Sequence, residues 1–506
     1  LIILRLFMVI LNMLSLLAWV KVKWGKVQRY WVERGVPHEA PHPLLGSLTF
    51  LQKENPVYWM RRVYNKFKTP YVGIWLFWRP ALIINCPELA RRILVKDADN
   101  FRNRFLSSGK KDPTGSLNIF TVNDPVWSSV RRRLAAVFTA AKLRNLESLI
   151  KEKATHLIDR YEREMMKNPD EINVRLINSD YTTDIIGESS FGVQCQAAKT
   201  GDSVIRKVSK DFMQYNVYRG LCWSSIFFWP SLVDIFGFTL FPKNTISFLK
   251  QVFRDIVAQR GGFDKPVKEP RDLLDALLKM KQDAAADKEE MSEDLLLAQA
   301  AIFVQGGFDT TGGALTWIFK ELAHAPHIQE KLYEELLQAR ENLGKEFDST
   351  SLAEVPYLNA VIKETIRKYP AMGWLDRVST GDYKLDDNFT IPAGTPLYVN
   401  AAGMMMDPEH FPDPDVFDPE RFMPENEKNI KPYTYMPFGT GPRNCIGMRF
   451  AYVSIRYALS SIVLNFVIRP PAGAVVPNQW PAERRGLLFM PDGKVNLTFT
   501  PRKTVA

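Results

Sequence analysis

The chain has 506 residues, 46% of them apolar and 24% charged, and Lys+Arg exceeds Asp+Glu by 66 − 56 = 10. Such ordinary globular composition excludes a disordered, collagen-like or polytopic membrane protein. The positive balance favours acidic partners such as anionic lipid or an acidic protein, and no basic run interleaved with aromatics points to nucleic acid.

In chain order, the first element is an apolar segment. Residues 1–20 hold 17 apolar side chains, interrupted only by Arg5, Asn12 and Ser15. As a helix they span roughly 30 Å, about one bilayer core. Lys21, Lys23, Lys26 and Arg29 follow, with no acid before Glu33. A Lys/Arg excess marks the cytoplasmic flank, so the segment reads as a membrane anchor with the rest of the chain in the cytosol. A cleaved signal peptide would need a basic leading region and a small-residue cleavage site, and neither is present. Residues 36–43, VPHEAPHP, carry three prolines in seven residues. Proline blocks helix and favours extended chain, which suits a stiff connection between anchor and body. The expected organisation is an anchor over 1–20, a basic and proline-rich hinge over 21–43, and one body over 44–506.

Apolar spacing of three and four predicts helices at about 54–68, 87–97, 125–142, 143–167, 176–191, 246–260, 270–281, 292–325, 326–342, 350–369 and 447–466. Strand-like runs are few: Tyr71–Trp75, Ala81–Asn85, Thr395–Asn400 and Val495–Thr500. The expected class is mainly α with small β regions. Phe212–Phe241 is rich in aromatics and has no charge between Arg219 and Asp234, so it roofs an apolar pocket, dips into a bilayer or is ordinary core. Ser292–Ala325 has an N-cap serine, Glu293 and Asp294 in its first turn, and Pro326 as its stop. Its middle, Gly306-Gly307-Phe308-Asp309-Thr310-Thr311, is made of poor helix formers, which predicts a functional bulge or a plain local kink with a solvated Asp309. A threonine there can bond back to a carbonyl one turn earlier.

Four cysteines, Cys86, Cys195, Cys222 and Cys445, are far apart with no CxxC, which removes zinc-ribbon and disulfide-scaffold readings. Six histidines without HExxH disfavour a histidine metal site. Cys445 alone sits in a special context, Phe438-Gly-Thr-Gly-Pro-Arg-Asn-Cys-Ile-Gly447, a tight loop just before a helical pattern. A helix N-terminus and nearby Arg443 favour a thiolate, which can serve as nucleophile or metal ligand. A nucleophile needs a base, and no histidine lies near in sequence. An isolated cysteine is otherwise a small buried hydrophobe.

That loop matches the FxxGxRxCxG haem-thiolate signature of the cytochrome P450 family at every fixed position. GGFDTT at 306–311, Glu364-Thr-Ile-Arg367, Pro419-Glu-Arg421-Phe and Trp127-Ser-Ser-Val-Arg131 resemble four further family elements in the family's order. The texture is similar to insect microsomal, xenobiotic-metabolising members. The resemblance implies the cytochrome P450 fold behind an N-terminal anchor helix, and haem (iron protoporphyrin IX) as cofactor. It implies NADPH-dependent insertion of one atom of dioxygen into lipophilic small molecules. Electrons would come from NADPH-cytochrome P450 reductase, with cytochrome b5 as a second donor, at the endoplasmic reticulum membrane.

By the same resemblance Cys445 is the axial iron ligand, with Phe438 packed beside the sulfur and Gly447 keeping the loop tight. Arg104, Trp127, Arg131, Arg377 and Arg443 would hold the haem propionates, where guanidinium forks match carboxylates. Thr310 matches the residue that holds a water on the dioxygen side of the haem, and Asp309 the acid that feeds it protons. Glu364, Arg367 and Arg421 match a buried structural triad, and Arg132, Arg133, Lys142 and Arg144 suggest a docking surface for an acidic flavoprotein. Expected pocket walls are 106–120, 212–241, 302–308, 372–375 and 487–490. Three positions depart from the family pattern: Met405-Met406 replace a His-Arg pair, Ala371 stands where a second proline is common, and Gly306-Gly307 replaces Ala-Gly. A haem-dependent isomerase or dehydratase that needs no reductase, and a non-catalytic haem or lipophile carrier, are the alternatives.

Overall fold

The computed structural model describes residues 2–135, 138–139, 144–344, 346–476 and 479–502. Its first element is a single 28-residue helix, Ile2–Arg29, which includes the basic residues 21–29. The stretch Phe7–Arg29 is long and apolar enough to cross a membrane by length and composition. Beyond it the chain docks at once. Trp31 is fully buried, its indole donates to the Ile74 carbonyl at 3.1 Å, and its ring covers Gly73, where a Cβ would come within 2.6 Å. The proline segment then runs beside the sheet, with Gly73 N–H donating to the Pro37 carbonyl at 2.8 Å.

Most of the body is helical, and the longest helix within it is Glu293–His324. Ser292 caps it by accepting from Leu295 N–H at 3.2 Å, the role its sequence position predicts. Its middle is buried except along one face that includes Ile302, Gly306 and Thr310, and it packs mainly on helix Val174–Phe191. Close approach is set by glycine: a Cβ at Gly307 would lie 2.6 Å from Ile186. The helix is continuous through 306–311, so the expected bulge does not form. Other helices fall near their predicted spans, including Pro56–Lys66, Glu147–Lys167, Lys243–Gln259, Leu273–Ala286, Pro326–Leu343 and Met448–Asn465. Pro356 splits the 350–369 prediction into Ser349–Ala353 and Pro356–Lys368. Residues 87–97 form an α-turn followed by a π-helical turn, Arg92–Lys96.

The sheets are small. Tyr71–Leu76 and Arg79–Ile84 form a hairpin, Pro396–Val399 pairs parallel to its second strand, and Leu375–Val378 closes the four-stranded order. A second sheet joins Ile172–Asn173, Asn496–Pro501 and Phe466–Arg469. The aromatic stretch folds as helix Val217–Phe228 followed by short turns to Phe236. Its inner residues Trp223, Phe227 and Phe228 are buried, while Val217, Tyr218, Leu221, Ile235 and Phe236 are exposed. One face therefore covers the interior and the other offers apolar surface outward.

Candidate functional site

The cysteine loop is shaped by backbone geometry. Gly439 and Gly441 have φ of 70° and 73°, which side-chain-bearing residues rarely adopt. A Cβ at Gly441 would also run into the Leu94 carbonyl oxygen. Cys445 N–H donates to the Phe438 carbonyl at 2.8 Å, closing the loop, and Gly447 is the N-cap of helix Met448–Asn465. A Cβ at Gly447 would stand 4.0 Å from Cys445 Sγ, so the glycine leaves the sulfur's flank open. The Phe438 ring lies 5.4 Å from that of Tyr452. Cys445 has accessible surface, but the surrounding protein still desolvates its sulfur. Burial pushes the Cys445 thiol up. The N–H groups of Gly447 and Met448 and the charges of Arg131 and Arg104 pull it back toward thiolate.

Around the loop stands a cluster of cations, Arg377 and Arg443 buried and Arg104 and Arg131 half-buried. Arg443 donates to the Arg102 carbonyl at 2.6 Å and to the Val122 carbonyl at 3.1 Å, and its guanidinium lies 4.1 Å from the Trp127 ring centroid. Trp127 thus supports Arg443 through its ring face. Arg104 lies over Phe120 at 4.3 Å and 3.9 Å from Asp376. Arg377 donates to the Asp376 carbonyl at 2.7 Å, and Arg131 to Asn444 at 2.7 Å. Burial, then the neighbouring Arg104 and Arg377, push Arg443 down to about 8. Burial and Arg104 likewise push Arg377 down to about 10. Arg443 Nη1, Arg104 Nε and Arg104 Nη1 are buried without a hydrogen-bond partner. Each such group costs about 1–3 kcal/mol unless an acceptor meets it.

On the central helix, Thr310 Oγ1 donates to the Gly306 carbonyl at 2.6 Å, the back-bond its sequence predicts. Asp309 is 2% exposed, and burial pushes its carboxyl up to about 6. A Cβ at Gly306 would meet nothing within 4 Å, so the missing side chain leaves the space that a bulge was expected to make. A cavity of about 190 Å³ opens over this turn, walled by Phe120, Tyr215, Trp223, Phe227, Leu240, Ile302, Gln305, Met372, Leu487 and Leu488. Each of the five expected wall segments contributes to it. A narrower cleft is lined by Thr310, Thr311, Ala314, Ile366 and Phe438, so the acid–threonine turn and the cysteine loop border one space. A larger cavity of about 580 Å³, between Arg133, Ser189 and Pro270, includes neither Cys445 nor Thr310 in its walls.

Behind the loop, Glu364 and Arg367 form a bidentate pair at 2.6 and 2.8 Å with both side chains fully buried, and Arg421 stands 3.6 Å from Glu364. Arg367 also donates to the Met405 and Pro414 carbonyls, and Met406 Sδ lies 3.3 Å from it. The supposed docking cations behave differently from one another. Arg133 is 11% exposed and paired with Asp287 at 2.7 Å and Glu289 at 3.2 Å, so its charge is compensated and it leaves the docking set. Arg132 is 70% exposed and stands 3.9 Å from the same Glu289, and Arg144 is exposed. Lys142 lies outside the described residues.

A mainly helical body that borders a glycine-bounded cysteine loop with an acid–threonine turn has the architecture of a haem-thiolate oxidoreductase. The chain belongs to the cytochrome P450 family: the family's model, "Cytochrome P450", matches residues 36–499. It is similar to cytochrome P450 6k1 of Blattella germanica, 32% identical over 470 residues covering 88% of each chain. It is also similar to probable cytochrome P450 6g2 of Drosophila melanogaster, 31% identical over 490 residues, 92% of this chain and 93% of that one. Cytochrome P450 6A1 of Musca domestica is 31% identical over 467 residues, 90% of each. Members of this family bind haem, iron protoporphyrin IX, and so does this protein.

The residues present suit that group. Haem carries two carboxylates, and three buried guanidinium nitrogens here await acceptors. Iron takes a thiolate outright, and the Cys445 sulfur has an open flank with two N–H groups and two arginines favouring its ionised form. Among the described residues no cluster of His, Cys, Asp and Glu offers a rival metal site.

Proposed function

We propose that this protein is an NADPH-dependent monooxygenase acting on lipophilic small molecules, xenobiotics or endogenous lipophiles. Cys445 would hold the iron, and Arg104, Arg131, Arg377 and Arg443, with Trp127 beneath Arg443, would hold the propionates. When bound, haem supplies dioxygen binding and the electron-rich iron that favours O–O cleavage. The balance is one substrate C–H, dioxygen, NADPH and a proton giving alcohol, water and NADP⁺.

The protein's own share is positional and acid–base. Trp223, Phe227, Ile302 and Leu487 offer an apolar wall that excludes water and orients a lipophile. Asp309, with its carboxyl near 6, can hold a proton at neutral pH and release it. Thr310 would then fix a water between that acid and the cleft. The observation that carries the reading is that Thr310 and Phe438, from the oxygen-side turn and the cysteine loop, line the same cleft.

In this reading residues 1–20 anchor the protein in the endoplasmic reticulum membrane, 21–43 connect, and 44–506 form the catalytic body in the cytosol. The exposed Arg132 and Arg144 belong to the surface that receives NADPH-cytochrome P450 reductase or cytochrome b5. The test is turnover of a lipophile that shifts the haem spin state, with reductase, NADPH and ¹⁸O-labelled dioxygen. One labelled oxygen in the product is expected. Turnover of a peroxide substrate without NADPH, and none with it, would favour the isomerase alternative. NADPH use indifferent to every ligand, with no oxygenated product, would favour the carrier.

A further inference from the structure

We propose that Tyr215 is a positioning residue for Asp309, clamping one carboxyl oxygen so that the other is left as the proton-bearing atom of the distal cavity. The inference rests on the reading of Asp309 as proton source. Tyr215 lies in the short connector between helices Val204–Phe212 and Val217–Phe228, far from the central helix in sequence. Its hydroxyl donates to Asp309 Oδ2 at 3.3 Å. Asp309 Oδ1 is buried and has no hydrogen-bond partner among the described residues. The two oxygens are therefore unequal: one is engaged by a phenol and the other is free to carry and release a proton.

The phenol suits a fixed clamp. Burial first, then the charges of Asp309 and Glu483, hold the Tyr215 hydroxyl well above its ordinary range, so it remains a donor at every working pH. Its ring is wedged. A Cβ at Gly486 would lie 2.6 Å from Tyr215 Cε1, and the Trp223 ring stands 5.6 Å away. The charged groups that bear on the pair come from three elements. Arg175, on helix Val174–Phe191, lies 5.8 Å from the Tyr215 ring and favours the ionised forms of both groups. Glu483, from the segment that lines the cavity through Leu487, opposes ionisation of the phenol. Asp309 itself comes from the central helix. A hydrogen bond donated to a carboxylate stabilises its charged form, so Tyr215 offsets part of the upward push of burial on Asp309. Because Tyr215 also walls the substrate cavity, the residue that sets the acid's orientation touches the same space as the substrate.

The experiment uses the full-chain holoenzyme with reductase and compares wild type, Tyr215→Phe, Gly486→Ala and Asp309→Asn. Two quantities are followed across neutral pH. One is the infrared band of the protonated Asp309 carboxyl, identified by its loss in Asp309→Asn. The other is the fraction of NADPH recovered as product rather than peroxide. Tyr215→Phe should move the midpoint of the infrared band upward by about one pH unit, a roughly tenfold change in the protonation ratio. The pH profile of coupling should move in the same direction. Gly486→Ala keeps the phenol but displaces its ring, and should shift both midpoints the same way by less. If both midpoints stay in place in Tyr215→Phe and Gly486→Ala while Asp309→Asn alters coupling, the clamp is wrong and the proton source stands. If Asp309→Asn leaves coupling and its profile unchanged, the proton source is wrong and the clamp falls with it.

Discussion

Replacing Glu364 tests what holds the cysteine loop's support in place. Both members of the Glu364–Arg367 pair are fully buried, and the carboxylate accepts two bonds from Arg367, at 2.6 and 2.8 Å, and one from the Asp418 N–H at 3.0 Å. Arg421 adds a second cation at 3.6 Å. Glu364→Ala leaves Arg367 with neutral partners, the Met405 and Pro414 carbonyls and the Met406 sulfur, against a full buried charge. Removing one partner of a buried pair costs about 3–5 kcal/mol, because the stranded charge keeps its desolvation penalty. Unfolding entropy near 2.1 cal/mol/K per residue gives about 1 kcal/mol/K for a body of this size, so the midpoint should fall by roughly 3–5 °C. The assay is thermal unfolding followed by near-UV circular dichroism and haem release together, on Glu364→Ala, Arg367→Met and the double variant. Each single change should be costly and the double far cheaper than their sum, with a coupling of about 2 kcal/mol or more. Single changes costing under about 1 kcal/mol, or strictly additive ones, would refute the reasoning.

Three other predictions concern the relay, the anchor and the segment docked just after it. Thr310→Ala should keep the substrate-induced spin shift but divert NADPH toward peroxide, read as the product-to-peroxide ratio; unchanged coupling would contradict the water-holding role. Deleting residues 1–20 should leave haem content intact in the purified protein. Trp31→Ala, by contrast, should cost about 3–5 kcal/mol because the indole is fully buried against Gly73 and bonded to Ile74. Equal tolerance of both changes in thermal unfolding would show that the docked segment after the anchor contributes no stability.

Much of the fold is legible in the sequence where periodicity and punctuation agree. Ser292 and Pro326 bracket the central helix to within a residue, and the hairpin strands fall within two residues of their predicted ends. Helix Val217–Phe228 escapes the periodic test because both of its faces are apolar, one toward the cavity and one outward. Strand Leu375–Val378 is hidden by its own charges, since Asp376 and Arg377 are both buried and Asp376 faces Arg104, distant in sequence. Arg131-Arg132-Arg133 reads as a uniform basic face, yet acids more than 150 residues onward cover the third arginine. The mid-helix glycines suggest a bulge, but one glycine serves close helix packing and the other open space, and the helix hydrogen bonds continue.

The site divides in the same way. The cysteine loop is local, and its glycines, carbonyl closure and helix start follow from ten consecutive residues. The cation cluster gathers Arg104, Arg131, Arg377 and Arg443 from four separate segments, which only the family resemblance could bring together before the structure. Tyr215 was visible as one aromatic among many; its bond to Asp309 exists only in three dimensions.

The most direct measurement is the absorption spectrum of the ferrous carbon monoxide adduct in wild type and Cys445→Ser. A thiolate-bound iron predicts a strongly red-shifted Soret band in the wild type that disappears in the variant. Persistence of that band after the sulfur is removed, or a wild-type spectrum of the imidazole-ligated kind, would contradict the account.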